Sequence, residues 1–242
     1  ILILPGVYTE TVNIVRDGVR LVGVGRPVIE SALEATPDAP GADHTLIISA
    51  QLGTIPLSVV IQGIAITNAH TNKACVRIVG SAGSTVGSGG IVIKDCNLAA
   101  NSATGNRSLW AGLVNVVRVF GGDWSSASNL DLLLVQEVSD FLMVGTVNVG
   151  AVDMRYDVAN GQPGGGGVLY EFQHCVLGSM SLLVPSFHCA LVGAGNISII
   201  GCVLAGATSV FSGDQAVSFI RSDLNVLSLL GTMIFRGQNS LV

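Results

Sequence analysis

The sequence predicts an all-β chain wound into one single-stranded right-handed parallel β-helix, a solenoid of about nine to ten coils. Three observations predict it. A short strand phrase recurs with a period in the twenties. Helix signals are nearly absent. The composition is rich in glycine, with 31 residues, and poor in aromatics (5%) and charge (11%).

The phrase reads aliphatic, any, aliphatic, two polar or small residues, a small residue, any, aliphatic. Ile91 to Leu98, Tyr170 to Leu177 and Ile197 to Leu204 are three copies, and Ile64 to Ala69 is a weaker fourth. The small position falls at Ala69, Cys96, Cys175 and Cys202. The steps between them are 27, 79 and 27 residues, the middle one close to three repeats. Strand-like segments fill that gap at Val114 to Phe120, Leu130 to Val135 and Phe141 to Val149. One coil cannot bury its own apolar face, but the next coil stacked on it can. In each apolar-x-apolar element the flanking side chains point inward and the middle one outward.

No long segment keeps the i, i+3, i+4, i+7 spacing with caps that a helix needs. A β-sandwich or jelly roll would place hairpin turns between alternating runs. Asp17-Gly18 and Asn160-Gly161 are the only pairs of that kind. A left-handed hexapeptide helix needs an aliphatic residue every six positions, a spacing the chain does not keep. The 242 residues therefore read as a single domain, 1–242. The chain opens at Ile1 inside a strand pattern, without Met or signal peptide, as a fragment of a longer protein would.

Composition narrows the function. Soluble domains carry about 25% charged residues, more than twice the share here, and the mean hydropathy is +0.63. A membrane helix would need roughly 18 consecutive apolar residues, and no such run exists, so membrane insertion is not expected. The surplus apolar surface is then expected to lie against partners. Net charge −5 and a pI of about 5.2 give no support for nucleic-acid binding. The five cysteines, Cys75, Cys96, Cys175, Cys189 and Cys202, are odd in number and sit within apolar strands, as small buried hydrophobes do.

The opening carries a recognisable phrase: Ile3-Leu4-Pro5-Gly6-Val7-Tyr8-Thr9-Glu10-Thr11-Val12-Asn13-Ile14, then Gly18 to Gly25. Pro5-Gly6 makes a tight turn after a strand. Thr11 to Ile14 and Val19 to Val24 alternate as strands do. The phrase, continued by Val60 to Ala69, resembles the opening coils of the pectin-lyase-like superfamily of right-handed β-helices. The specific part spans roughly the first hundred residues, and the rest fits by its period. The superfamily includes pectate lyases, pectin methylesterases, polysaccharide hydrolases and phage tailspikes or other virion appendages. The resemblance implies the fold far more strongly than any one activity.

Enzymatic candidates follow from the acids. Ser139-Asp140-Phe141-Leu142-Met143-Val144-Gly145 nearly matches the methylesterase element that holds a nucleophilic Asp, with one residue too many before the glycine. Asp123 and Arg155 sit at loosely suitable places for its partners, yet the companion Gln-Asp-Thr-Leu is missing. An Asp beginning a strand at a turn explains Asp140 better. Glycoside hydrolysis needs two carboxylates roughly 5 to 9.5 Å apart. The richest acidic zone is Asp131, Glu137, Asp140, Asp153, Asp157 and Glu171, of which stacking could align Asp131, Asp153 and Asp157. Trp110, Trp124, Tyr156 and Tyr170 are the nearby candidates for sugar platforms. Asp140, Asp131, Asp153, Asp157 and Arg155 are therefore the catalytic candidates, although acids at turns account for them more simply.

No cofactor or metal is expected. His174-Cys175 and His188-Cys189, with Cys202 a coil later, suggest a metal, but neighbours on a strand face opposite sides and zinc ligands sit closer in sequence. Gly193-Ala194-Gly195 faintly matches a dinucleotide loop, but it lacks a third glycine and a following helix, so a turn between coils is expected there. Gly164 to Gly167 reads as a flexible loop, with no Lys-Ser/Thr after it to bind phosphate. The function expected is a structural or adhesive β-helix of a phage or virus particle: a tailspike, head fibre or capsid-associated spike. It would be located in the virion, homotrimeric, in contact with other virion proteins and able to meet host-surface polysaccharide. The residues Leu109 to Val149 are the expected packed face. The alternative is a secreted carbohydrate-active enzyme, a methylesterase-like esterase or polysaccharide hydrolase.

Overall fold

The computed structural model describes residues 1–31, 44–49, 58–70, 73–80, 90–100, 107–126, 133–147, 149–157, 168–177, 187–204, 209–220, 222–224, 227–230 and 233–238. Among these there is no helix. Strands form sheets of 15, five and three members, and every strand pairing is parallel. The Gly164 to Gly167 run lies outside the described residues.

The chain visits three strand positions in a repeating order, here called faces I, II and III. Face I holds Val12–Ile14, Leu46–Ser49 and Ala74–Val79. Face II holds Leu2–Ile3, Val19–Gly23, Val59–Gln62 and Ile91–Lys94. Face III holds Val7–Thr9, Val28–Glu30, Ala65–Asn68 and Asn97–Ala100. From Arg107–Phe120 onward, faces I and II often merge into one long strand. That strand pairs with Ala74–Val79 through its first half and Ile91–Lys94 through its second. Leu113, at φ 56°, bends the chain where the halves meet.

Register makes continuous inward columns. On face II, Val19, Val59, Ile91, Val117, Phe141, Tyr170 and Ile197 stack in order. Two residues along, Leu21, Ile61, Ile93, Val119, Met143, Phe172 and Ile199 do the same. All but Val19, which is half-buried, belong to the buried core. β-Branched and aromatic residues suit such columns, because each packs on its counterpart about 4.8 Å above and below. The three strong phrase copies start at Ile91, Tyr170 and Ile197, all in the first column. Val117 and Phe141 occupy that column inside the 79-residue step, so the step holds three repeats.

Two expectations need correction. Ala69 does not share the column of Cys96. Asn97 pairs with Ala65, which sets Ile64 beneath Cys96, and the weaker phrase copy aligns through Val59 to Gln62 instead. Val59 and Ile61 hold the face II places, and the aliphatic pair Ile64 and Ile66 falls after them, at the turn and on face III. Second, Gly193 to Gly195 makes no turn between coils. It lies within the strand Phe187–Ile200, which carries a register shift between Leu191 and Gly195. Glycines in a strand mark such a bulge as readily as a turn.

Candidate functional site

The turn from face II to face III is built the same way in successive rows. Its first residue is left-handed: Gly63, Asp95, Gly121, Gly145, His174 or Gly201, with φ between 52° and 68°. The next residue turns inward. Cys96 donates its thiol to the carbonyls of Lys94 and Ile61, and Cys175 to those of Gln173 and Met143. Thr146 donates to the Gly121 carbonyl, and Ser222 to those of Ile220 and Ile199. The backbone N–H of Cys175 in turn reaches the Cys202 sulfur at 3.4 Å. The four described cysteines are all buried with free thiols. Burial raises Cys75 to about 12 and Cys96 to about 11. Contact with Cys202, and then burial, push the Cys175 thiol up. Contact with Cys175 lowers its partner Cys202. Protonated thiols are weak nucleophiles and poor ligands, so Cys75, Cys96 and Cys175 serve packing and hydrogen bonding.

The metal expectation meets the same geometry. Exposed His174 and buried Cys175 point apart. The side chains of His188 and Cys189 lie outside the described residues. Among the described residues no three His, Cys, Asp or Glu side chains converge.

The acids separate into different settings. Asp140 does not begin a strand. It lies inside Leu133–Val144, where it accepts two hydrogen bonds from the Arg118 guanidinium, one of them 2.9 Å long. Both side chains are about 30% exposed or less. A forked pair of this kind engages both carboxylate oxygens. Asp153 is only 4% exposed and is bridged by Arg155 from two residues along. Asp140 and Asp153 stand on different faces: Asp140 pairs with Val116 and Leu169, Asp153 with Leu134 and His188. Glu171 faces Gln173, and Asp123 is exposed at the start of face III. Asp131 lies outside the described residues, as do the side chains of Glu137, Asp157 and Tyr156.

The aromatic platforms fare differently from expectation. Trp124 and Tyr170 are fully buried core residues, and Tyr170 donates its hydroxyl to the Val138 carbonyl. Both fall on inward positions because the period-two alternation, read through the register, turns them in. Trp110 does face outward, but it is already engaged. The Arg77 guanidinium lies 3.8 Å from its ring centroid and that of Arg107 4.5 Å. His44 meets it edge-on at 5.9 Å, and its indole N–H donates to Gln136 Oε1.

This cluster on face I concentrates the most chemistry among the described residues. Parallel register puts Arg77 directly beside Trp110, and Gly112 beside Gln136. Arg77 Nη1 donates to the carbonyls of Ile78 and Trp110. Burial, helped by the charge of Arg107, lowers Arg77 to about 10. Burial and then the charge of Arg77 lower His44 to about 4, so near neutral pH its ring is uncharged. Its Nδ1 accepts the Ala74 N–H. Arg77, Arg107 and His44 carry no motif. The usable signal is that Arg77 and Trp110 take equivalent positions in successive face I strands.

The fold and these settings define the chain as an all-β protein of stacked parallel strands with no helix among its described residues. No family model and no curated protein matches it.

Proposed function

We propose that the chain is a right-handed parallel β-helix of about nine to ten coils, of the pectin-lyase-like kind, serving as a structural or adhesive part of a phage or virus particle. Its natural form is a homotrimer packed against other virion proteins, able to meet host-surface polysaccharide. The observation that carries this reading is the outward side of the ladder. Val60, Val92 and Leu142 are half-buried outward members of a face II column that also holds Arg20, Arg118 and Glu171. Arg118, the charged member between Val92 and Leu142, is neutralised by Asp140. Leu169, Val203, Ile220 and Val147 are each about 40% exposed elsewhere on the surface. Apolar exterior of this kind is stable in water when an assembly covers it, and residues Leu109 to Val149 supply the packed face.

Light scattering on the purified chain tests this reading. A mass near three times 24.8 kDa supports it. A monomer at micromolar concentration would remove its main support. A catalytic role gains nothing from the described residues, since Asp140 and Asp153 are each held by an arginine and Trp124 and Tyr170 are core.

A further inference from the structure

We propose that Cys175 and Cys202 form an oxidation site, which a peroxide closes into a disulfide that staples two successive rows of the stack. Register makes them neighbours. Val176 pairs with Val203, so Cys175 and Cys202 stand side by side at the turn into face III. Neighbouring strands of a ladder lie about 4.8 Å apart, inside the roughly 4.4 to 6.8 Å of Cα separation that a disulfide accepts. The Cys175 N–H reaches the Cys202 sulfur at 3.4 Å, as the Cys202 N–H reaches the Ser222 hydroxyl at 3.3 Å. The Cys202 sulfur thus leans back toward Cys175, and the two thiols hydrogen-bond to each other. Register places no other two cysteines side by side among the described residues. Cys96 lies between Ile64 and Gly122, Cys75 between Thr45 and Ser108, and Cys189 between Met154 and Phe211.

The contact divides the chemistry between the two sulfurs. It pushes the Cys175 thiol up and the Cys202 thiol down, so Cys202 is the member with thiolate character. Its sulfur attacks one oxygen of hydrogen peroxide. An S–O bond forms, the O–O bond breaks, and the hydroxide that leaves takes up the thiol's proton as water. The Cys175 sulfur then attacks the Cys202 sulfenic acid. The S–S bond forms, the S–O bond breaks, and the hydroxyl leaves as a second water with the Cys175 proton. Two electrons have passed from the sulfurs to the peroxide. Both thiols are 1% exposed, so the reaction runs when the turn opens locally. The outward residue beside Cys202 is Gly201, against which the exposed His174 ring lies. The bond joins residues 27 apart in sequence and so constrains the unfolded chain. This site is independent of the assembly proposed above and stands or falls separately from it.

The test treats the whole folded chain with hydrogen peroxide and then blocks the remaining thiols with N-ethylmaleimide in denaturant. Chymotryptic peptides are read by mass spectrometry. Alkylation should fall by two of the five thiols, with a cross-linked peptide joining Cys175 to Cys202. Dithiothreitol should restore both. The pair should be consumed about tenfold faster than Cys75 or Cys96, whose thiols burial holds high. The oxidised chain should melt about 5 °C above the reduced one. Cys202→Ser keeps a donor at the turn and should leave Cys175 open to alkylation after the same treatment. Cys175 and Cys202 still alkylated once Cys75 and Cys96 have reacted would overturn the proposal. So would sulfinic acid without a cross-link, a cross-link to another cysteine, or an unchanged or lower melting point. Loss of Cys175 alkylation in Cys202→Ser would overturn it too, and the wild-type peptide map decides even if that variant does not fold.

Discussion

Cys96, Thr146, Cys175 and Ser222 answer one local problem with two chemistries. At Cys96, Thr146 and Cys175 the chain leaves face II through a left-handed residue, and the next side chain faces inward and donates to nearby carbonyls, as that of Ser222 also does. A thiol or a hydroxyl does this; a methyl does not. Cys175→Ser should therefore stay within about 1 kcal/mol of the wild type in urea unfolding, whereas Cys175→Ala should cost about 2 kcal/mol. Equal losses would show that volume, and not the donor, matters there. His44 makes a second case. Its ring is held at about 4, below the usual 6.5, by burial and then by Arg77, with Arg107 also facing it. The unfolded chain thus binds the proton first as pH falls. Stability owed to the neutral ring is full above pH 6.5 and is lost progressively down to about 4. About 2 kcal/mol should disappear over that window, after allowance for partial exposure. His44→Gln should flatten the slope of stability against pH, and an unchanged slope would contradict the assignment.

At the scale of the element, the recurring phrase was legible because it is a column seen end-on. Ile91, Tyr170 and Ile197 repeat in sequence since they stack in space. The turn was half legible. The cysteines stood out, but Gly122, Thr146 and Ser222 did not, since a thiol, a hydroxyl and a bare backbone share no sequence signature. The misplacement of Ala69 has the same origin: where Ile64 fills the small position, the phrase has no small residue to show. The arginine cluster was illegible, because Arg77 meets Arg107 and Trp110 only through a register that sequence spacing does not fix. Close stacking makes one glycine decisive. A methyl on Gly122, at φ 95°, would lie 2.1 Å from the Cys96 carbonyl oxygen, while one on Gly18 meets nothing within 4 Å. Gly122→Ala should cost about 3 kcal/mol or more, and Gly18→Ala about 1 kcal/mol, in thermal or urea unfolding. Similar costs at the two positions would argue against tight stacking at the turn.

At the scale of the molecule, low charge and strand repetition describe one object. Inward columns hold the stack together, and the proposed assembly would cover the outward valines and leucines. Asp140→Asn should leave stability within about 1 kcal/mol, since its pair with Arg118 is partly exposed. The same change should weaken the proposed trimer if the neutralised pair lies in the packed face. An oligomer insensitive to it would move the interface elsewhere.

The stack itself is tested most directly by distance. Val60, Val92, Arg118, Leu142, Glu171 and Ser198 occupy successive outward positions of face II. Spin labels introduced pairwise at these sites, measured by electron paramagnetic resonance, should separate by about 4.8 Å per ladder step. The Val60–Ser198 pair, five steps apart, should lie near 24 Å whatever its separation in sequence. Distances that fail to rise in that order, or a Val60–Ser198 pair as close as neighbouring strands, would contradict the stack of parallel rows.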